Sequence, residues 1–222
     1  MNRHVFVTGG TGYLGRALIE ALVHRGHRVR ALARRGSESK VPVGAESVTG
    51  NALDSGGWAS SVVPADTLVH LVGTPHPSPA KAAEFQAVDL PSIRAAVAAA
   101  AAARITHFVY VSVAHPAPLM HAYIAVRSEG EALIKQQGLN ATILRPWYVL
   151  GEGHRWAYAL VPVYALARRI PAWRDGAERL GLVSHDQMIR ALVAAVEHPP
   201  RGVRLVEVPE IRSGLRPAQV PA

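Results

Sequence analysis

The sequence predicts a doubly wound α/β fold, in which helices cover both faces of a parallel sheet. Apolar runs of strand length alternate with helical segments over residues 1–150, and this order is typical of parallel sheets. The run Asp66–Thr74 is apolar almost throughout, as expected of a strand buried on both faces, and Ile105–Ser112 is predicted as the next strand. The first run, His4–Val7, leads directly into a glycine-rich turn, so a strand, a tight turn and a helix are expected at the start of the chain.

The glycine-rich turn connects His4–Val7 to a helix predicted over Tyr13–Arg25. Glycine at position 9 permits a sharp reversal, Gly12 lets backbone N–H groups approach phosphate oxygens, and Gly15 lets the helix pack closely on the strand. The alternative is an incidental glycine turn. We expect the pyrophosphate of a dinucleotide at this helix N-terminus. The expected contact residues are Gly9, Gly10, Thr11, Gly12, Tyr13, Leu14 and Gly15.

The second strand, His27–Ala33, ends in Arg34 and Arg35. At about twenty residues beyond the glycines, a protein that binds NAD offers a carboxylate to the ribose hydroxyls, whereas one that binds NADP offers arginine to the 2′-phosphate. The arginine pair therefore favours NADP over NAD. The alternative is that both arginines are solvated surface residues.

The remaining elements continue the alternation. A third strand ends within Val48–Asp54, and residues 151–222 form a small cap on a single domain whose dinucleotide-binding core is 1–150. The apolar segment Trp156–Ala167 could line a pocket, pack in a homodimer or touch a bilayer surface, and plain burial is its default role. Further helices are expected at Ala82–Ala103, Tyr123–Gln137 and His185–Glu197, and further strands at Ala141–Arg145 and Val203–Val208.

Composition excludes several classes of function. The net charge is +8 with a pI of 10.4, but the arginines are scattered rather than grouped, so nucleic-acid binding is not favoured. The chain has no cysteine, which excludes disulfides, thiolate metal sites and a cysteine nucleophile. No apolar run reaches the ~18 residues of a membrane span, and a cytoplasmic protein is expected. The histidines at 70, 76, 115 and 121 lack metal-ligand spacing and are expected in loops or at the surface.

Three residues carry candidate chemistry. Ser112 ends the fifth strand, and Tyr123 begins a helix that places Arg127 one turn further on the same face. A nearby cation lowers the pKa of a phenol from ~10 and helps it exchange a proton with a substrate oxygen. The serine would steady the same oxygen. The alternative for Tyr123 is an aromatic residue packed in the core.

The chain resembles the atypical or extended short-chain dehydrogenases/reductases, close to the NmrA-like and complex I accessory-subunit-like branch with its NAD(P)-binding Rossmann fold. The resemblance rests on the glycine turn, Gly50–Asp54, Phe108–Ser112, Tyr123 with Arg127 and Glu131, and Leu144–Pro146. The resemblance implies further cofactor contacts. The chain departs from the family pattern at two positions: Asn51 stands where the family has Asp, and Arg127 stands where the family has the active-site lysine. The implied contacts come from Arg34, Asn51, Ala52, Val72, Gly73 and Pro146.

Two hypotheses of different classes follow. The first is an NADP-dependent oxidoreductase acting on a small carbonyl or alcohol, with Tyr123 as general acid/base, Ser112 orienting the oxygen and Arg127 supporting both; an epimerase or isomerase is a variant of it. The second is a cofactor-binding sensor or assembly subunit, because arginine and lysine are not interchangeable at such a site.

Overall fold

Seven strands form one parallel sheet at the centre of the protein. The description rests on a computed structural model and covers residues 2–150, 176 and 179–215. The strands are β1 (His4–Thr8), β2 (Arg28–Ala33), β3 (Glu46–Thr49), β4 (Thr67–His70), β5 (His107–Val111), β6 (Ala141–Arg145) and β9 (Val203–Glu207), while β7 (Tyr148–Leu150) and β8 (Leu182–Ser184) form a separate parallel pair. The strand order in the large sheet is β3-β2-β1-β4-β5-β6-β9, and every neighbouring pair is parallel. The doubly wound prediction is therefore confirmed.

Helices cover both faces of the sheet. The helices are α1 (Tyr13–His24), α2 (Leu90–Ala102), α3 (His121–Gln136), α4 (His185–Glu197) and α5 (Val208–Ser213). On one face, α1 and α4 pack against apolar side chains of β1, β2 and β6. On the other, α2 and α3 pack against Phe6, Leu68 and Phe108. The alanine-rich surface of α2 allows close approach, as its composition predicts.

The approach to α2 is irregular and positions two buried side chains. A short helical turn, Ala82–Glu84, leads into a π-helical turn, Phe85–Asp89, and only then into α2. Wide turns of this kind are often found at functional sites. Pro91 lies at the start of α2, directly after the π-helical turn, and has no N–H to donate to that turn. Phe85 and Asp89 are both buried.

The C-terminal elements complete the sheet. β9 pairs with β6, and α4 packs on α1, so both elements belong to the core, although the sequence placed them in a cap. Helix α4 begins with a capping box between Ser184 and Gln187. The segment Trp156–Ala167 lies outside the described residues. In the described part of the chain, no helix is long and apolar enough to cross a membrane.

Candidate functional site

In the glycine turn, the backbone at Gly9 lies against that of Leu71, and the backbone at Gly15 lies against that of Gly9. Gly9 has a φ of +76°, and a Cβ added there would lie 2.8 Å from the carbonyl carbon of Leu71. A Cβ at Gly15 would lie 2.2 Å from the Gly9 carbonyl oxygen, so α1 can reach β1 this closely only with glycine. Gly12 precedes α1 and caps it with no side chain, and the first turn carries no acid. The first N–H groups of the helix therefore stay available to an anion, which fits a pyrophosphate.

A cavity of about 360 Å³ extends from this turn along the carboxyl ends of β1, β4 and β5. This edge of an open parallel sheet is where ligands bind, at the point where the chain switches direction across the sheet. The structure thus brings the glycine turn and the three candidate chemical residues to one cavity. The residues singled out by the sequence that line it are Gly9, Gly12, Tyr13, Leu14, Gly15, Gly73, Ser112, Tyr123, Arg127 and Pro146.

Tyr123 and Arg127 lie one turn apart near the start of α3. The Arg127 guanidinium carbon is 5.0 Å from the centroid of the Tyr123 ring and 5.7 Å from that of Tyr110, within the range of cation–π attraction. The Tyr123 ring also contacts Phe85, with ring centroids 4.9 Å apart. The half-buried phenol therefore sits between an aromatic ring and a cation, at the wall of the cavity.

Arg127 is buried and paired with an acid. Its Nη2 donates to Asp89 Oδ1 at 2.7 Å, and its Nη1 donates to the Val111 carbonyl at 2.9 Å. The other Asp89 oxygen accepts from the backbone N–H and the hydroxyl of Thr74. Burial acts to lower the pKa of Arg127, but Tyr123, Tyr110 and Asp89 together raise it. The guanidinium is therefore a permanent cation whose nearest charge is a carboxylate.

Ser112 belongs to a second buried network. Its Oγ donates to Glu131 Oε1 at 2.7 Å, and Arg145 binds both oxygens of that carboxylate, at 2.9 and 2.5 Å. Arg145 also donates to Glu207 at 2.9 Å. Burial acts to raise the pKa of the Glu131 carboxyl, but hydrogen bonds from Arg145 and Ser112 outweigh it and lower that pKa. Glu131 is thus ionised and can only accept hydrogen bonds.

Some predicted contact residues lie outside the cavity. Arg34 and Arg35 directly follow β2 and are exposed. The Asn51 side chain accepts from the backbone N–H of Leu53 at 3.1 Å and so shapes its own turn. Gly10, Thr11, Ala52 and Val72 do not line the cavity either. Gly10 packs against the Ala31 and Ile19 side chains instead.

The expectation that His70 lies in a loop or at the surface is wrong. His70 ends β4 and is fully buried; its Nδ1 is 2.8 Å from the Thr8 hydroxyl and its Nε2 is 3.4 Å from that of Ser92. Burial, with Arg127 nearby, lowers the pKa of His70 to about 3. The ring is therefore neutral and structural. A search of the described residues found no group of three or more His, Cys, Asp or Glu side chains that could hold a metal ion.

Sequence reasoning missed Asp89, and it noted Glu131 and Arg145 as parts of the resemblance without giving either a role. Asp89 is the only acid among the apolar residues 85–103, and such an isolated acid is a usable sign of a buried partner. Its partner Arg127 is 38 residues away, however, and nothing in the local pattern identifies the pair. Glu131 follows Arg127 by four residues, and that spacing does place it on the same face of α3.

Comparisons with known proteins agree with this geometry. A family model described as NAD(P)H-binding matches residues 9–167. A 4-hydroxy-2-methyl-3-oxo-4-farnesyl-3,4-dihydroquinoline-1-oxide ketoreductase of Stigmatella aurantiaca is 29% identical over 220 residues, covering 89% of this chain and 65% of the relative. A ceramide reductase of Caulobacter vibrioides is 29% identical over 211 residues, covering 94% and 65%. The photosystem II assembly factor Ycf39 of Cyanophora paradoxa is 30% identical over 149 residues, covering 64% and 44%. The chain thus spans less than two thirds of the length of these relatives.

Solved structures share the fold. The Bordetella bronchiseptica enzyme WbmH in complex with NAD⁺ superposes with a TM-score of 0.67 at 20% identity, covering 91% of this chain and 75% of that one. MoeE5 in complex with UDP-glucuronic acid and NAD gives 0.70 at 20% identity, covering 95% and 80%. At this level of identity the likeness shows a common fold and nothing finer.

Proposed function

The chain belongs to the NAD(P)H-binding family, and from that membership we propose that it is an NADP-dependent oxidoreductase acting on a small carbonyl or alcohol. The observation that carries the proposal is the shared cavity: Tyr123, Ser112 and the glycine turn all line it. A group that exchanges a proton and a turn that suits a pyrophosphate therefore face the same space. The two reductases among the relatives support the same reaction class.

The residues divide the work between binding and proton transfer. The glycine turn and the N-terminus of α1 would hold the pyrophosphate, and Pro146 with Gly73 would flank the nicotinamide half. A bound nicotinamide supplies a hydride to a carbonyl carbon or takes one from an alcohol. Tyr123 gives its phenolic proton to the carbonyl oxygen or, in the reverse direction, takes one from the alcohol. Arg127, 5.0 Å from the Tyr123 ring, favours the charged phenolate while the proton is away.

The proposal is tested by replacing the phenol. Oxidation of NADPH is followed with a panel of ketones and aldehydes, and cofactor affinity is measured separately by fluorescence titration. Tyr123→Phe should lower turnover by about 10²- to 10⁴-fold with little change in NADPH affinity. Tyr148→Phe removes a second phenol from the same cavity and is the matched control. Undiminished turnover in Tyr123→Phe would remove Tyr123 from the mechanism.

A preference for NADP over NAD is the second part of the proposal, and exposed Arg34 and Arg35 support it. A hydrogen bond to a charged group contributes about 1.5–3 kcal/mol. Arg34→Ala or Arg35→Ala should therefore weaken NADP⁺ about 10- to 100-fold and leave NAD⁺ affinity unchanged. Arg28→Ala, at the opposite end of the same strand, is the control. If both cofactors weaken equally, the arginines do not read the 2′-phosphate.

A second candidate is a cofactor-binding sensor or assembly subunit. It is favoured by one observation: the Arg127 side chain is bound internally by Asp89 and the Val111 carbonyl. The assembly factor among the relatives is consistent with it. In this case NADP⁺ and NADPH would bind and protect different backbone amides from hydrogen exchange, without consumption of NADPH by any carbonyl of the panel. Consumption that depends on Tyr123 excludes this candidate.

A further inference from the structure

We infer that Ser112 accepts a hydrogen bond from the substrate and cannot donate one, and that Glu131 is the positioning residue that imposes this direction. The site would then select carbonyl compounds that carry a hydrogen-bond donor, such as a hydroxyl, beside the reacting carbon. The inference rests on the proposed function only in taking the cavity as the substrate site.

The first step concerns the single proton of the serine hydroxyl. A hydroxyl has one donor and two acceptor lone pairs. The Ser112 Oγ lies 2.7 Å from Glu131 Oε1, and an ionised carboxylate accepts but never donates. The Ser112 proton must therefore lie on the line to Glu131. Only lone pairs remain for any molecule in the cavity that Ser112 lines.

The second step is that Glu131 cannot turn away or become neutral easily. Arg145 binds both of its oxygens, and the Glu131 side chain is only 4% exposed. The Nε2 of His115 also lies 3.6 Å from Oε1. Because Arg145 holds the carboxylate in place, the negative charge of Glu131 keeps the serine proton directed at Oε1.

The consequence concerns which groups of a substrate the site satisfies. A carbonyl oxygen offers only lone pairs, so Ser112 repels it, and Tyr123 must supply the proton to the reacting oxygen. A neighbouring hydroxyl can donate to Ser112 instead. A substrate without such a donor removes water from the lone pairs of the buried Ser112 oxygen and gives them no hydrogen bond in return, which costs affinity.

The test uses three matched probe compounds with the NADP⁺ complex, in which carbonyl reduction cannot occur. α-Hydroxyacetophenone carries the donor, α-fluoroacetophenone carries an acceptor of similar size, and acetophenone carries neither. Dissociation constants are measured by ligand-observed NMR titration. One net hydrogen bond corresponds to roughly five- to tenfold, and we expect the hydroxy compound to bind more tightly than the other two by that factor.

Two variants and one control assign the effect. Ser112→Ala should remove the preference, and Glu131→Gln should reduce or reverse it, because an amide no longer fixes the serine proton. A merely structural role of Glu131 would weaken all three compounds equally. Glu129→Gln, at a partly exposed position two residues earlier on α3, should leave the preference unchanged.

Each remaining result contradicts the inference. Equal binding of the three compounds, tighter binding of the fluoro compound, or a preference that survives in Ser112→Ala overturns it. If none of the three binds, both this inference and the carbonyl site fail. If the three are reduced by NADPH in a Tyr123-dependent manner at equal efficiency, the inference fails while the proposed oxidoreductase stands.

Discussion

Replacement of Asp89 by asparagine should strongly destabilise the protein, although the two side chains are nearly the same size. The Asp89 side chain is 1% exposed and that of Arg127 is 6% exposed, so Asp89→Asn leaves a buried cation without a counter-charge. The hydrogen bonds add to this cost. One Asp89 oxygen accepts from Arg127 and the other from two Thr74 donors. An asparagine has one acceptor oxygen, so its amide N–H groups must face a donor in either orientation.

The magnitude follows from the burial of the pair. Removal of one partner of a buried ion pair costs about 3–5 kcal/mol. For a chain of this length, 1 kcal/mol corresponds to about 2–4 °C in Tm, so Asp89→Asn should lower Tm by about 6–20 °C. Arg127→Met should also destabilise. The double variant should be more stable than the sum of the two single changes predicts, by about 2 kcal/mol or more, because it removes both charges.

Urea unfolding followed by far-UV circular dichroism gives the free energy of unfolding of the unsubstituted protein, of Asp89→Asn, of Arg127→Met and of the double variant. The chain provides an exposed ion pair as a control: Arg94 on α2 and Glu129 on α3 lie 2.5 Å apart, with 57% and 42% of their side chains exposed. Arg94→Gln should cost only about 0–1 kcal/mol. If Asp89→Asn costs no more than Arg94→Gln, the reasoning from burial is refuted.

Three further outcomes are expected. Gly15→Ala should weaken NADP⁺ binding at least about tenfold and destabilise the protein, because its Cβ would lie 2.2 Å from the Gly9 oxygen. Gly57→Ala, whose Cβ would have nothing within 4 Å, is the control. If the two variants change NADP⁺ affinity, measured by calorimetric titration, and the free energy of unfolding equally, this prediction is wrong. Gly73→Ala should lower turnover, because its Cβ would lie 2.2 Å from Arg127 Nη2; unchanged kcat contradicts it. The free energy of unfolding should fall as pH decreases from 6.5 towards 3, because His70 takes up its proton at a higher pH in the unfolded chain than in the folded protein. The fall should be smaller in His70→Asn, and an identical pH profile of the two proteins would contradict this prediction.

The order of elements was predictable because local patterns determine it. Alternating apolar runs identified the strands of the sheet up to β6, and the glycine turn identified one part of the cavity wall, since both patterns involve neighbours in sequence. The ion pairs were not predictable, because Asp89 and Arg127 are 38 residues apart and come together only through the packing of two helices. The burial of His70 was missed for a related reason: its partners, Thr8 and Ser92, lie on different elements.

The place of β9 was missed because it depends on pairing rather than on periodicity. A short apolar run that follows a long stretch without a clear sequence pattern is compatible with a cap, and no local sequence pattern identifies the strand with which it pairs. In the structure, parallel pairing with β6 makes β9 the edge strand of the large sheet. Arg145 at the end of β6 and Glu207 at the end of β9 are 2.9 Å apart, so the sheet edge and the Ser112 network are joined.

Helix α3 carries Tyr123, Arg127 and Glu131 at four-residue intervals, and therefore on one face. The two charged residues are each held by an opposite charge from a different element, Asp89 before α2 and Arg145 on β6. Apolar packing alone would tolerate small rotations or shifts of the helix, whereas two directional ion pairs one turn apart fix both its rotation and its position along the axis. Tyr123 makes mainly ring contacts and so takes its position from these anchors. The buried charges thus orient the phenol, and for this reason their loss should reduce turnover even where the protein still folds.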